Sequence, residues 1–194
     1  TLFELAIRQP LEDKQVTIAR ANAHVTYPAN FQLIAAMNPC RCGHLGDASR
    51  SCHKAPRCGT DYRNKISGPL LDRIDICVEM PRVSIFSPEI SAEGESTESI
   101  RQRVIAARKI QTERYNGSNV HCNAEIDGEV FNKFAQPDQA GLELLKYVLK
   151  EHYISNRGYS RVLKVARTIA DLAKSEQVKR EHIAEALNYR IRSY

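Results

Sequence analysis

The spacing of apolar residues changes character halfway along the chain. VTIA and HVTYP place β-branched residues at alternating positions, which predicts a short hairpin joined through RANA. FQLIAAM, residues 31–37, is a nearly continuous apolar run. It predicts a central strand buried on both faces, as in a parallel sheet. IDICVEM, residues 74–80, predicts a last strand that ends before Pro81. Ahead of these, TLFELAIRQPLEDKQ reads as a helix stopped near Pro10. Between the two apolar runs lies a long irregular segment, followed by a turn at Ser67-Gly68-Pro69 and a helical turn through Leu70–Arg73.

After Pro88 the polar stretch SAEGESTE reads as a linker, and the period then becomes helical. Ile100, Val104, Ala107 and Gln111 share one face. Further helices are expected at about 127–135, 138–152, 157–174 and 178–190. The third of these should bury Val162, Ala166, Ile169 and Ala173. The last should bury Val178, Ile183 and Leu187 and expose Lys179, Arg180 and Glu181. The expected organisation is an α/β part over residues 1–88 and an all-α part over 89–194.

Composition narrows the function classes only a little. The 194 residues are 42% hydrophobic and 26% charged, which is ordinary globular usage. The net charge of +5 permits a polyanion partner without requiring one. No run approaches the ~18 apolar residues of a membrane span, so no membrane partner is expected. Thr1–Leu11 carries Glu4 and Arg8 and lacks the apolar stretch of a signal peptide. The expectation is a cytoplasmic protein whose six cysteines are read for metal or free thiols before disulfides. A first residue other than Met fits a fragment or a processed piece.

Cys40, Cys42, Cys52 and Cys58 form C-x-C-x9-C-x5-C inside the irregular segment. Thiolates so spaced can close a tetrahedral Zn²⁺ site and staple a loop that has no core of its own. His44 or His53 are candidate substitutes for a cysteine, and the competing reading is a loop of unpaired thiols. Four thiolates leave no open position, so the metal would be structural. Cys77 is expected as a small core residue of the last strand, apart from Cys122. Asn38 follows the apolar run directly, where ligands bind at the carboxyl ends of strands, although Asn-Pro also simply opens turns. Arg73 stands beside Asp72 and Asp75. It is either their ion-pair partner or an arginine that reaches a phosphate. Arg157 and Arg161 share a face at a helix start, where cations oppose the helix dipole unless an anion is near.

FQLIAAMNPCRCG, KISGPLLDRIDICVEMPRV and SRVLKVARTIADL, in this order, resemble the magnesium-chelatase-like AAA+ ATPases of the ComM/YifB type. RQPLED followed by VTIARANAHVTYPANF is similar to the segment just after that family's Walker B motif. The resemblance covers essentially the whole chain. It implies the rear of an AAA+ P-loop NTPase core, with a Cys-rich insertion at 39–64, and then an all-α lid. It also implies self-assembly into a ring, such as a hexamer, that uses ATP and Mg²⁺ and acts on DNA. The activity implied is that of a helicase migrating branched DNA in natural transformation and recombination.

Carried over by position, Asn38 corresponds to sensor 1, which orients the attacking water, and Arg73 to a trans-acting arginine finger. Arg157 corresponds to the sensor 2 arginine, with Arg161 as second candidate for nucleotide contact. The hairpin from about Val16 to Thr26 corresponds to the pre-sensor 1 hairpin, which makes Arg20 the expected DNA contact.

The sequence departs from that family in two respects. None of its nine glycines is followed by Lys-Ser or Lys-Thr, so G-x-x-x-x-G-K-[ST] is absent, as is the acidic Walker B pair. The chain by itself is therefore expected not to hydrolyse ATP. Two other classes compete: a chelatase motor subunit driving Mg²⁺ into a porphyrin, and a zinc-stabilised interaction module with no motor role.

Overall fold

The computed structural model describes residues 2–45, 49–80, 94–151 and 154–190. It divides into two compact units, Thr1–Ile74 and Asp75–Tyr194. Residues 81–93, which carry the expected boundary near 88, lie outside the described residues.

In the first unit, α1 (Leu2–Asp13) runs three residues beyond the Pro10 at which the sequence places its end. Proline removes its own N–H donor, yet its carbonyl still accepts from Lys14 N at 3.0 Å, so the turn closes. Lys14, at φ 54°, then ends the helix in the left-handed region. The hairpin forms as expected from β1 (Gln15–Arg20) and β2 (Ala23–Pro28), antiparallel, in register from Gln15↔Pro28 to Arg20↔Ala23. The Thr17 and Thr26 hydroxyls meet across it at 3.0 Å. Two short helices follow, α2 (Arg57–Arg63) and α3 (Gly68–Leu71).

Neither of the other two expected strands forms. Among the described residues the sheet consists of β1 and β2, and residues 31–37 and 74–80 hold no ladder hydrogen bonds. A strand buried on both faces needs neighbours on both edges and cover on both faces. Without them the apolar side chains stay in solvent: Ile34 and Met80 are each 85% exposed. Cys77 is exposed as well, not a core residue. Its backbone N–H donates to Tyr189 O at 2.7 Å within the second unit.

The second unit is helical: α4 (Thr97–Arg114), a 3₁₀ turn at Asn123–Glu125, α5 (Gly128–Phe134), α6 (Gln139–Glu151), α7 (Asn156–Leu172) and α8 (Arg180–Asn188). Ser96 caps α4 by accepting from Ser99 N at 3.2 Å, and Ser155 caps α7 by accepting from Gly158 N at 3.0 Å. The core gathers around α7: Val162, Leu163, Ala166 and Ala170 pack with Leu145, Val178, Ile183 and Ala186.

Two details of the expected burial change. Ala173 is exposed, because α7 ends at Leu172 and Lys174 turns the chain at φ 56°. The buried face instead continues through Ala170 and Asp171. On α4, Ala107 and Gln111 are buried while Ile100 and Val104 are exposed.

Gly141 marks a close approach of α6 to the chain before it and to α8. A Cβ there would lie 2.9 Å from Pro137 Cβ and 3.3 Å from Ile183 Cγ1. Gly141→Ala is expected to cost about 1–3 kcal/mol of overpacking, read as a lowered urea midpoint.

Candidate functional site

The first unit brings the expected cysteines together. The Sγ atoms of Cys40, Cys42 and Cys58 lie within 4.8 Å of one another, and those of Cys40 and Cys42 are 3.0 Å apart. Cys52 stands outside that triplet, but its thiol interacts with both Cys42 and Cys58. All six cysteines are free thiols.

Local turns produce this convergence. Gly43, at φ 77°, bends the chain so that its N–H donates to Cys40 O at 3.1 Å, a conformation that favours glycine. Ala55 N donates to Cys52 O and Cys58 N to Lys54 O, each at 2.9 Å, which winds residues 52–58 into successive turns. Gly59 lets Leu45 close over α2, since a Cβ there would meet Leu45 Cδ2 at 2.5 Å.

The donor set fits a metal. Tetrahedral zinc with Zn–S near 2.3 Å separates its sulfurs by roughly 3.8 Å, within easy reach of this cluster. The thiols also perturb one another. Hydrogen bonding with Cys40 is the leading influence that brings Cys42 down to about 6. Hydrogen bonding with Cys52, then burial and the neighbouring sulfurs, push Cys58 up to about 12. The cluster thus accommodates one thiolate and resists the next. A divalent cation would reverse that resistance. The triplet includes neither His44, which is half-buried, nor His53, which is exposed.

Asn38 is exposed two residues before Cys40. Arg20 is exposed at the end of β1, beside the two-residue hairpin loop. Arg73 follows α3, and its guanidinium is engaged inside the first unit. Nη1 donates to Pro69 O at 2.6 Å, and Nη2 pairs with the Glu12 carboxylate of α1. Its ion-pair partner is therefore Glu12, 61 positions away in sequence, rather than the adjacent Asp72 or Asp75. Arg8 donates to Ser67 Oγ at 2.5 Å, so two arginine contacts tie α1 to the residues around α3.

In the second unit Arg157 is exposed in the first turn of α7. Arg161, one turn on, pairs with Asp75. Deeper in α7 lies a polar network that the sequence pattern did not signal as a group. Asp171 is buried and receives both nitrogens of Arg114, at 2.8 and 2.5 Å. It also accepts from Arg167 Nη2 at 2.9 Å and Asn123 Nδ2 at 2.8 Å. Arg167 donates further to Glu176 O and Ser175 O. Tyr115 O–H donates to Asn123 Oδ1 at 2.6 Å. Burial pushes the Asp171 carboxyl up. The Arg114 and Asn123 hydrogen bonds and both guanidinium charges more than reverse this, leaving it below the ordinary carboxylate value. One hint was available: Arg167 and Asp171 stand four apart on a helix.

Comparison with known proteins matches both units. Residues 3–87 match the family described as magnesium chelatase, subunit ChlI, and residues 94–190 match its ChlI C-terminal family. The chain is 41% identical over 188 residues to the competence protein ComM of Haemophilus influenzae (strain Rd), covering 95% of this chain and 35% of that protein. It is 39% identical over 187 residues to YifB of Escherichia coli (strain K12), covering 95% of this chain and 36% of that protein. The chain thus spans about a third of the length of the curated relatives it matches.

Proposed function

The chain belongs to the magnesium-chelatase-like family of the ComM/YifB type, and from that premise we propose that it works within a longer ring-forming AAA+ ATPase that acts on DNA. The observation that carries this reading is continuous similarity across both units to a protein named for competence, with Asn38, Arg73 and Arg157 present together. The phosphate-binding loop is absent from this sequence, so it must come from elsewhere in the ATPase.

The proposed roles follow from the chemistry of phosphoryl transfer, where positioning and charge do most of the catalysis. The Asn38 amide carries both a donor and an acceptor, as orienting the attacking water requires. Arg73 supplies a permanent, forked positive charge to the transferring phosphoryl group of a neighbouring subunit. Arg157 contacts nucleotide from the helical unit, with Arg161 as second candidate. Arg20 places a cation at the hairpin end for a DNA phosphate. Cys40, Cys42, Cys52 and Cys58 hold structural zinc. Elemental analysis of protein purified without added metal is expected to give about one zinc per chain. A metal-free protein that keeps the cysteine cluster ordered would remove zinc from the account.

The test of the whole reading is strand separation on a branched DNA by the intact ATPase. It should proceed with ATP and stop without it. The family description itself motivates a second reading, a chelatase motor. ATP-dependent insertion of Mg²⁺ into a porphyrin, with branched DNA left untouched, would establish that reading instead.

A further inference from the structure

The irregular segment after Asn38 carries a local basic excess. Residues 41–65 hold six Lys and Arg against two Asp, a net of +4 out of the chain's +5. This is also the segment folded around the cysteine cluster.

Each of three converging stretches carries a basic residue next to a clustered cysteine: Arg41 between Cys40 and Cys42, His53-Lys54 after Cys52, and Arg57 before Cys58. Consecutive Cα atoms are about 3.8 Å apart, so convergence of the sulfurs gathers these neighbours into one knuckle. Arg41, Lys54 and Arg57 are exposed, and among the described residues none of the three holds an ion pair. His53, Lys54, Ala55 and Arg57 line an open groove of about 450 Å³, with Asp61 also on its wall. Arg41, Lys54 and Arg57 are thus three exposed cations carried by one short loop, each next to a clustered cysteine.

We infer that the Cys-rich knuckle is a second DNA-contacting surface, gripping the phosphate backbone through Arg41, Lys54 and Arg57 without reading sequence. This rests on the reading that the ATPase acts on DNA, and it adds a contact distinct from Arg20. Phosphate oxygens are the partner that unpaired Arg and Lys in a shallow groove suit best. Beside Ala55 the groove is lined by the charged or polar side chains His53, Lys54, Arg57 and Asp61. Zinc held by the cysteines, as proposed above, would stiffen this loop, so that little backbone must be ordered on binding.

The experiment is a salt titration of binding between the intact ATPase and a labelled DNA duplex of arbitrary sequence. The variant Arg41→Gln/Lys54→Gln/Arg57→Gln is compared with wild type, with Arg20→Gln and with the charge-keeping Arg41→Lys/Lys54→Arg/Arg57→Lys. The neutral triple variant is expected to lose about tenfold or more in affinity near ~0.1 M salt. Its plot of log K against log salt should flatten by about 2–3, near 0.9 per lost contact. The charge-keeping variant should hold the wild-type slope, and all variants should keep the wild-type content of metal.

An unchanged slope in the neutral variant, while wild type binds and Arg20→Gln weakens binding, would overturn the knuckle and leave the DNA reading standing. Loss of slope in the charge-keeping variant would also overturn it. Wild-type protein that binds no duplex at all would sink both.

Discussion

Arg73→Ala in the intact ATPase is expected to cut ATP turnover on the order of 10³-fold or more while leaving ATP affinity largely intact. An arginine that meets the phosphoryl group only as charge redistributes in the transition state contributes to turnover and little to ground-state binding. The structure sharpens this expectation, because Arg73 already has intramolecular partners in Glu12 and Pro69 O. To reach a neighbour's phosphate it must exchange the Glu12 carboxylate for another anion.

Glu12→Gln then separates the two roles of Arg73. If Arg73 is a finger, weakening its resting partner leaves turnover near wild type. If Arg73 only fastens α1, Glu12→Gln lowers turnover as far as Arg73→Ala does. Arg73→Lys should recover little, since an ammonium lacks the planar fork. Turnover and nucleotide titration on the three variants decide the matter.

Asp171→Ala is expected to remove about 3–5 kcal/mol of stability from the helical unit. The carboxylate is the one anion between two guanidiniums, and Arg167 is only 2% exposed. Removing it leaves two buried like charges facing each other, with Asn123 losing an acceptor as well. Asp171→Asn keeps the shape and loses the charge, so it should also destabilise.

The pH dependence has a definite sign. The folded-state pKa of Asp171 lies below the ordinary 3.8, and the unfolded chain titrates near that value. Its stabilisation is therefore fully present above about pH 4 and fades as pH falls through the folded value. Urea midpoints should drop below pH 4 in wild type, and the part of that drop due to Asp171 should vanish in Asp171→Asn. A wild-type acid limb identical to that of Asp171→Asn would contradict the assignment.

What the sequence revealed depended on how local the cause was. The helices of the second unit were legible, because one buried face at 3.6-residue spacing is a property of the segment itself. The hairpin was legible for the same reason, since its two strands are neighbours in sequence. Residues 31–37 and 74–80 were not, because apolar runs say that a segment wants cover without saying who provides it.

The cysteines were legible as a group because four thiols lie within a short stretch. The pairing of Arg73 with Glu12 was not legible, since Glu12 becomes a neighbour only through the fold. Arg114 and Asp171 are 57 positions apart, and nothing in either segment alone pairs them.

The central claim is that catalysis is shared between subunits, with Arg73 of one completing the site of the next. The most direct test mixes two inactive proteins, Arg73→Ala and a variant lacking the phosphate-binding-loop lysine, in rings shown to contain both. Some interfaces then pair an intact loop with an intact Arg73 from the neighbouring subunit. The expected result is partial return of ATP turnover that peaks at intermediate mixing ratios. No return of turnover in rings proven to be mixed would contradict a role for Arg73 in trans.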